Sequence, residues 1–595
     1  MKCRIPQMRI NSPEVSHFFH HSKPLNCHKS AANWVFLDTN GKIVFHEDRK
    51  SATCTISYFE RKNDYTNFYE PYVELHDGDT MKFDFARVKC KHGFRKWNSF
   101  LMTVAEDKNR RKELEDKNAN KNNIDVYFLG FDSLSHMSFR RKLKKTVKVL
   151  EETIGSFVLN GYNIVGDGTP QAFIPILTAK TELELPLTRK RFKEANYVDD
   201  VYPFIWKNFS DAGYVTAYGE DAFNIGTFTY RLKGFRHQPT DHYIRPFFKD
   251  IEESISYSAR CVGSIPLHKM WFDYACNFMR VYDGSPRFLL MHQSLLSHDD
   301  INLVEVEDED LANHLLQMHN EGLFDNALVI VMSDHGNRFA KLRQTQQGQL
   351  EERLPFFSIS LPKRFRESDE IGKLMHENLL KNVDRLSTPF DIHATLMDIL
   401  HLPSVEKLKK VQDSAYFRAL SLFRPIPENR TCEQAGVEAH WCTCLDWQNA
   451  LKEPEDIEIS SKLADVVVYS INQQLQNVTH LCSPLQLDKL IYARKLVPNS
   501  GVLSYSNVKD TDGFVPDFSG STKATFAHFQ LKLQTKPGNA VYEITLFYDY
   551  VLRKATIDMN SISHVNKFND APHCIIDKNY FLATYCVCYD KLHNA

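Results

Sequence analysis

Two short runs constrain this chain more than any other part of it: DVYFLGFD, residues 125–132, and ALVIVM, residues 327–332. Both are apolar at consecutive positions rather than alternating ones. That is the pattern of strands buried on both faces, as in a parallel sheet covered by helices. Each ends in polar groups, the first in Asp132-Ser133-Leu134-Ser135 and the second in Ser333-Asp334-His335-Gly336. Side chains at the carboxyl ends of such strands lie where open α/β sheets bind ligands. Asp132, Asp334 and His335 are therefore expected to converge on one site, and carboxylate with imidazole suits zinc or manganese better than calcium. Gly336 is expected to let the backbone turn away so that both side chains reach the ion.

Strand and helix alternate around these runs. Residues 136–153 carry Phe139, Leu143, Val147 and Leu150 in a helix-like pattern. GYNIVGDGTP, residues 161–170, then sets Thr169 between Gly168 and Pro170 at the head of an apolar run through Phe173 and Leu177. A hydroxyl there faces the positive end of a helix dipole, a suitable place for a nucleophile that meets an anion; a plain N-cap is the competing reading. Further strands are expected at 214–218, ending in Gly219-Glu220-Asp221, at 288–291, leading to Ser297-His298-Asp299-Asp300, and at 354–361. Helices are expected over 309–321 and from Thr388-Pro389 onward, the latter carrying His393. Residues 1–105 read as a β-rich region, 106–123 (EDKNRRKELEDKNANKNN) as a solvated helix or charged linker, 124–420 as the catalytic domain and 421–595 as a cysteine-rich α+β region. That last region holds a helix over 460–476 and a hairpin turning at Lys536-Pro537-Gly538-Asn539.

The 73 basic and 75 acidic residues nearly cancel, so nothing in the charge calls for nucleic acid as an obligate partner. A hydrophobic share of 43% excludes a largely disordered chain. The 13 cysteines crowd towards the two ends and suggest disulfides, hence a secreted or secretory-pathway address; the odd total leaves at least one thiol. Cys432, His440, Cys442 and Cys444 lack the spacing of a standard zinc finger, and disulfides are the expected use. Glycosylation sequons at Asn208, Asn429 and Asn477 point the same way. No signal peptide or apolar run of membrane-spanning length occurs, so a leader or anchor is expected outside this sequence, against the alternative of a cytosolic protein with reduced cysteines.

GFDSLS, GDGTPQAFIPILT and VMSDHGNRF, in that order and separation, resemble the alkaline-phosphatase superfamily, which includes sulfatases, nucleotide pyrophosphatase/phosphodiesterases and phosphoethanolamine transferases. Within it, GYVTAYGEDAF, GFRHQPTDHYIRPF, SHDD, EERLPF, TPFDIHATL and HWCTC are similar to an animal, nematode-rich family catalogued as domain of unknown function 229. The resemblance implies an alkaline-phosphatase-like α/β fold, a central mostly parallel sheet flanked by helices. It implies Thr169 as nucleophile and Asp132, Thr169, Asp334 and His335 as ligands of one or two divalent ions. His298 with Asp299 would be a further ligand or a substrate-binding group, and His393 a distal ligand. His242, Lys142 and Arg338 are basic groups near these motifs that could neutralise substrate charge.

Several positions depart from the pattern. The formylglycine signature of sulfatases is absent, and Glu220 stands where sulfatases place Lys. Ala172 replaces an Asn three residues beyond the nucleophile, His136 an Arg, and Ala179 a Gly. Loss of one amide donor to a developing oxyanion costs roughly two orders of magnitude in rate. The expected function is a metal-dependent hydrolase or transferase acting on phosphoesters of a small molecule, glycan or lipid headgroup. The alternatives are a sulfatase-like hydrolase without formylglycine, or a degenerate extracellular protein that binds a glycan or lipid headgroup.

Overall fold

A computed structural model describes residues 3, 5–27, 32–39, 41–118, 123–254, 260–338, 340–444, 447–496, 504–510, 513–517, 526–566 and 569–594. The chain divides into two compact units, one of residues 1–337 with 345–437 and one of residues 338–344 with 438–595. Among the described residues no helix is long and apolar enough to cross a membrane.

The first unit is built on a seven-stranded sheet in the order His242–Tyr243, Val215–Glu220, Arg287–Gln293, Asp125–Phe131, Ala327–Ser333, Phe357–Ser360 and Phe157–Val158. The first five run parallel, and Phe357–Ser360 is antiparallel to both its neighbours. Asp125–Phe131 is first in sequence but fourth in the sheet, so the chain winds outwards from it on both sides. Its carboxyl end is the topological switch point at which such sheets bind ligands.

Every residue of the Asp125–Phe131, Arg287–Gln293 and Ala327–Ser333 strands is buried. Tyr127, Leu129, Phe131, Leu289, Met291, Val329 and Val331 face one core, packed under the Leu267–Val281 and Asp308–Asn320 helices. Val126, Phe128, Phe288, Leu290, Leu328, Ile330 and Met332 face the other, which takes in the Thr169–Thr178 and Pro389–Leu400 helices. The two-residue alternation sorts each strand cleanly between two apolar layers, as expected of a doubly covered sheet.

The unit also contains a five-stranded sheet in which Thr53–Asn63 lies between Thr66–Tyr69 and Phe85–His92, with Arg95–Met102 at the far edge and Val73–Leu75 paired to the first. Cys54 and Cys90, directly opposite on neighbouring strands, form a disulfide. A second disulfide, Cys27–Cys261, closes a span of 234 residues. Within the stretch expected as a solvated helix or linker, Lys108–Asn118 is a helix.

The second unit is a six-stranded antiparallel sheet, with Gln486–Leu496, Phe526–Lys536 and Val541–Asp549 at its centre. The Pro454–Leu475 helix packs Leu463, Ala464, Val467, Val468 and Ile471 into its core. Pro454 starts that helix six residues before the apolar period becomes visible. Disulfides Cys482–Cys586 and Cys574–Cys588 staple its C-terminal turns, and Cys3, Cys432, Cys442 and Cys444 are disulfide-bonded as well. Cys276, buried in the first unit, is the free thiol that the odd total requires.

Candidate metal centre

Asp132, Asp334 and His335 bring their ligand atoms within 4.8 Å of one another, all three residues fully buried. Asp125–Phe131 and Ala327–Ser333 are adjacent and in parallel register, with Ser333 opposite Phe131, so the residues that follow each strand emerge side by side. The Asp334 N–H donates to the Phe131 carbonyl and continues that ladder by one bond.

Ser133 is the hinge of the arrangement. Its φ of 63° lies in the left-handed region, which a serine enters at a cost of about 1–2 kcal/mol. In that conformation its N–H donates to Asp334 Oδ1 at 3.0 Å while its hydroxyl donates to Asp132 Oδ1 at 2.9 Å. Asp132 Oδ2 accepts from the Ser294 hydroxyl at 3.1 Å. The His335 ring holds its Nδ1 2.8 Å from the Gly336 carbonyl, which requires a proton there and puts the lone pair on Nε2. Nε2 lies 3.4 Å from Asp334 Oδ2 and 3.7 Å from Asp132 Oδ1.

Gly336 is needed for close approach rather than for turning. A Cβ there would sit 2.2 Å from the Glu351 carbonyl oxygen, and its φ is outside the left-handed region. Its N–H donates to the Glu352 carbonyl at 2.9 Å, pinning the loop to the Gln346–Arg353 helix.

A fourth group belongs to the cluster. His292, near the end of the Arg287–Gln293 strand, is 1% exposed, and its Nε2 lies 3.8 Å from Asp334 Oδ2. Neither of its ring nitrogens has a hydrogen-bond partner, and Asp334 Oδ2 also lacks one. Directly opposite on the next strand is Gly130; a Cβ there would lie 2.8 Å from His292 Nδ1 and 3.1 Å from the Phe173 ring. The glycine inside DVYFLGFD thus makes room for an imidazole. His292 was legible: RFLLMHQ is a third apolar run ending in a ligand type, but the expected strand stopped at Met291. Asp221, likewise unassigned from sequence, accepts from the Ser294 and Leu295 N–H groups beside Asp132, and burial, helped by the Asp132 charge, pushes it up to about 8.

The two central carboxyls titrate apart. Burial pushes Asp132 up, but His298, His335 and His292 outweigh it and hold the group below the usual range. Burial and the Asp132 charge raise Asp334, against His292, the Ser133 N–H and the Thr169 hydroxyl. Burial lowers His292 despite both carboxylates. Two carboxyls and two imidazoles, with the His292 nitrogens and Asp334 Oδ2 buried and without hydrogen bonds, fit a divalent ion.

Thr169 opens the Thr169–Thr178 helix, with Gly168 at φ 102° before it and Pro170 after it. Its effect on Asp334 places the hydroxyl beside the cluster. Ala172 is buried on the same helix and offers no donor. Ala179 ends it at φ 58°, where a glycine would sit without strain. His298 is a quarter exposed, lies 3.1 Å from Asp299, and is the largest of the groups lowering Asp132.

Other candidate residues lie elsewhere in their bonding. His242 is buried between Asp84 Oδ2 and the Tyr282 hydroxyl, both at 2.8 Å. His393 bonds the Ile176 carbonyl at 3.0 Å, tying its helix to the Thr169 helix. Lys142 bonds Glu305 at 3.2 Å and the His20 carbonyl. His136 accepts from Arg140 at 2.9 Å, and burial with the Arg140 charge pushes it down to about 3. His440 lies against Thr545 and Ser563. Asn208, Asn429 and Asn477 are all exposed.

Among solved structures the chain is similar to the lipoteichoic acid synthase LtaP from Listeria monocytogenes, at 13% identity and a TM-score of 0.34 over 54% of this chain and 81% of that one. It is also similar to a protein in the alkaline phosphatase superfamily from Vibrio parahaemolyticus, at 10% identity and a TM-score of 0.33 over 82% and 97%. A third likeness is to murine ectonucleotide pyrophosphatase/phosphodiesterase 5, at 11% identity and a TM-score of 0.31 over 47% and 96%. No curated protein matches the sequence. Residues 12–491 of the 595 match the family described as Protein of unknown function (DUF229), and the chain belongs to that family.

Proposed function

We propose that this protein is a metal-dependent hydrolase or transferase of phosphoesters, with Thr169 as nucleophile and Asp132, Thr169, Asp334 and His335 as ligands of zinc or manganese. The observation that carries the reading is the buried convergence of Asp132, Asp334 and His335 beside the Thr169 hydroxyl, with the His292 nitrogens and Asp334 Oδ2 left without hydrogen bonds. A bound divalent ion supplies charge stabilisation and makes a coordinated hydroxyl more acidic.

The chain's own groups account for the remainder. Thr169 Oγ, relieved of its proton, bonds to phosphorus while the ester P–O bond breaks and its electron pair leaves with the alcohol oxygen, which is protonated. Water or an acceptor alcohol then attacks the phosphothreonine, the P–Oγ bond breaks, and Thr169 is regenerated. The helix N-terminus at Thr169 favours the transferred anion, and His298, its ring 3.1 Å from Asp299, donates to its oxygens. The disulfides support a secreted or secretory-pathway protein. Substrates are esters of a small molecule, glycan or lipid headgroup.

The test is metal analysis of purified protein, followed by incubation with paired aryl phosphate and aryl sulfate esters. Phosphate trapped on Thr169 and lost in Thr169→Ala supports the reading, and sulfate release alone would turn it into a sulfatase-like one. Ala172 favours a second reading, a binding protein with a degenerate site; protein free of zinc and manganese would leave only that.

A further inference from the structure

The hairpin of Phe85–His92 and Arg95–Met102 turns on Gly93 and Phe94. Phe94 stands wholly in solvent, at 106% relative exposure. A lone exposed phenyl ring is ordinary, but this one has a charged setting. Lys91 lies directly opposite Lys96, His92 opposite Arg95, and Lys89 two residues along on the face of Lys91, while Val88 and Cys90 point to the core. Lys89, Lys91, Arg95 and Lys96 are all exposed. Among the described residues none of the four pairs with a carboxylate. The Lys89 ammonium instead lies 4.1 Å over the ring of Tyr72, itself 38% exposed.

Like charges directly opposite in a sheet are destabilising. Arg95 and Lys96 on the edge strand Arg95–Met102 could serve only to block edge pairing. That leaves Lys89 and Lys91 on the interior strand and the bare ring at the turn without a purpose. An apolar tip ringed by cations is the chemistry of an interfacial anchor. A polyanionic polysaccharide would use the cations alike, but a ring on a protruding turn offers it no groove.

We propose that this hairpin docks on an anionic lipid bilayer, with Phe94 entering the headgroup–acyl boundary and Lys89, Lys91, Arg95 and Lys96 lying against the headgroups. The proposal is independent of the chemistry assigned to the metal centre. Each basic residue near an anionic surface multiplies the affinity about five-fold, and burying most of a phenyl ring about ten-fold or more.

The test uses the intact protein, sedimented at physiological salt with vesicles of phosphatidylcholine alone or mixed with phosphatidylserine. Wild type is expected to pellet with the mixed vesicles and not with the neutral ones. Phe94→Ser is expected to lower the partition about ten-fold and Lys91→Glu/Lys96→Glu by about 25-fold or more. Phe94→Ser removes no internal contact, so an unchanged near-ultraviolet spectrum certifies its fold and keeps the test valid should the double variant misfold. Absence of vesicle binding, or a Phe94→Ser variant that pellets like wild type, would overturn the proposal. So would heparin retention that depends on Lys91 and Lys96 but not Phe94, which assigns the strip to a polyanionic glycan.

Discussion

Glu351 has no place in the chemistry, yet replacing it should be among the most damaging single changes in the first unit. Its carboxylate is 1% exposed and accepts from Arg141 at 2.6 and 2.8 Å, from the Ser135 hydroxyl at 2.7 Å and from Gln347 at 2.8 Å. Arg141 is 5% exposed; its other contacts are the Ser138 hydroxyl, the carbonyls of Arg9 and Ile10 and the Phe19 ring, and none of these carries a negative charge. Glu351→Ala therefore leaves a guanidinium buried without a counter-charge, which costs about 3–5 kcal/mol. The well-packed double variant Arg141→Met/Glu351→Leu removes both charges and should cost less than Glu351→Ala alone. The same carboxylate anchors the loop after Asp132 through Ser135, and the neighbouring Glu352 carbonyl anchors the loop after His335 through Gly336. Metal retention should therefore fall along with stability. Urea denaturation read by tryptophan fluorescence, with metal titration alongside, measures both. A Glu351→Ala variant within about 1 kcal/mol of wild type, or a double variant as costly as the two single ones summed, would refute the reasoning.

Gly130→Ala should force the His292 ring to shift, costing about 1–3 kcal/mol and weakening metal binding in a titration while leaving the secondary structure unchanged by circular dichroism. Ala179→Gly should relieve the left-handed strain at the end of the Thr169 helix and raise stability by about 0.5–1 kcal/mol, seen as a higher denaturation midpoint. His136 and His314 are both held near 3, by burial first and then by the charges of Arg140 and Arg280 respectively. The unfolded chain binds protons at these rings and the folded chain does not. Stability is thus full above about pH 6.5 and falls as pH drops from there towards 3, by roughly 2 kcal/mol per ring at pH 5. Denaturation curves at pH 7.5 and about pH 5 check this, and His314→Gln should remove its share of the difference.

The α/β class was legible because strands buried on both faces cannot alternate polar with apolar, and the Asp125–Phe131 and Ala327–Ser333 runs do not. Their adjacency was legible only as matched chemistry at two strand ends; the pairing itself is long-range and leaves no local mark. His292 escaped notice because a histidine after four apolar residues looks like a satisfied core group, and what distinguishes it is the glycine opposite on another strand. His242 and His393 sit in stretches as rich in motif as His298, yet Asp84 with Tyr282 and the Ile176 carbonyl claim them. Proximity in sequence to a motif says little about which way a ring points. The hairpin around Lys536 and Pro537 was read correctly because alternation on both sides of a turn is a local signal.

Residues 338–344 follow directly on the loop that carries Asp334 and His335, yet they fold with the C-terminal unit, where Arg343 is buried 3.5 Å from Glu543. The chain thus passes out of the first unit, back into it and out again. No single cut separates the two units cleanly, because any fragment ending near Val437 keeps a segment whose buried Leu342 and Arg343 have lost their host. Inheritance is constrained in the same way. Gene fusion or exon exchange can append or discard a terminal module, but a unit assembled from two separated stretches of one chain must be gained, lost and tuned together with the sequence between them.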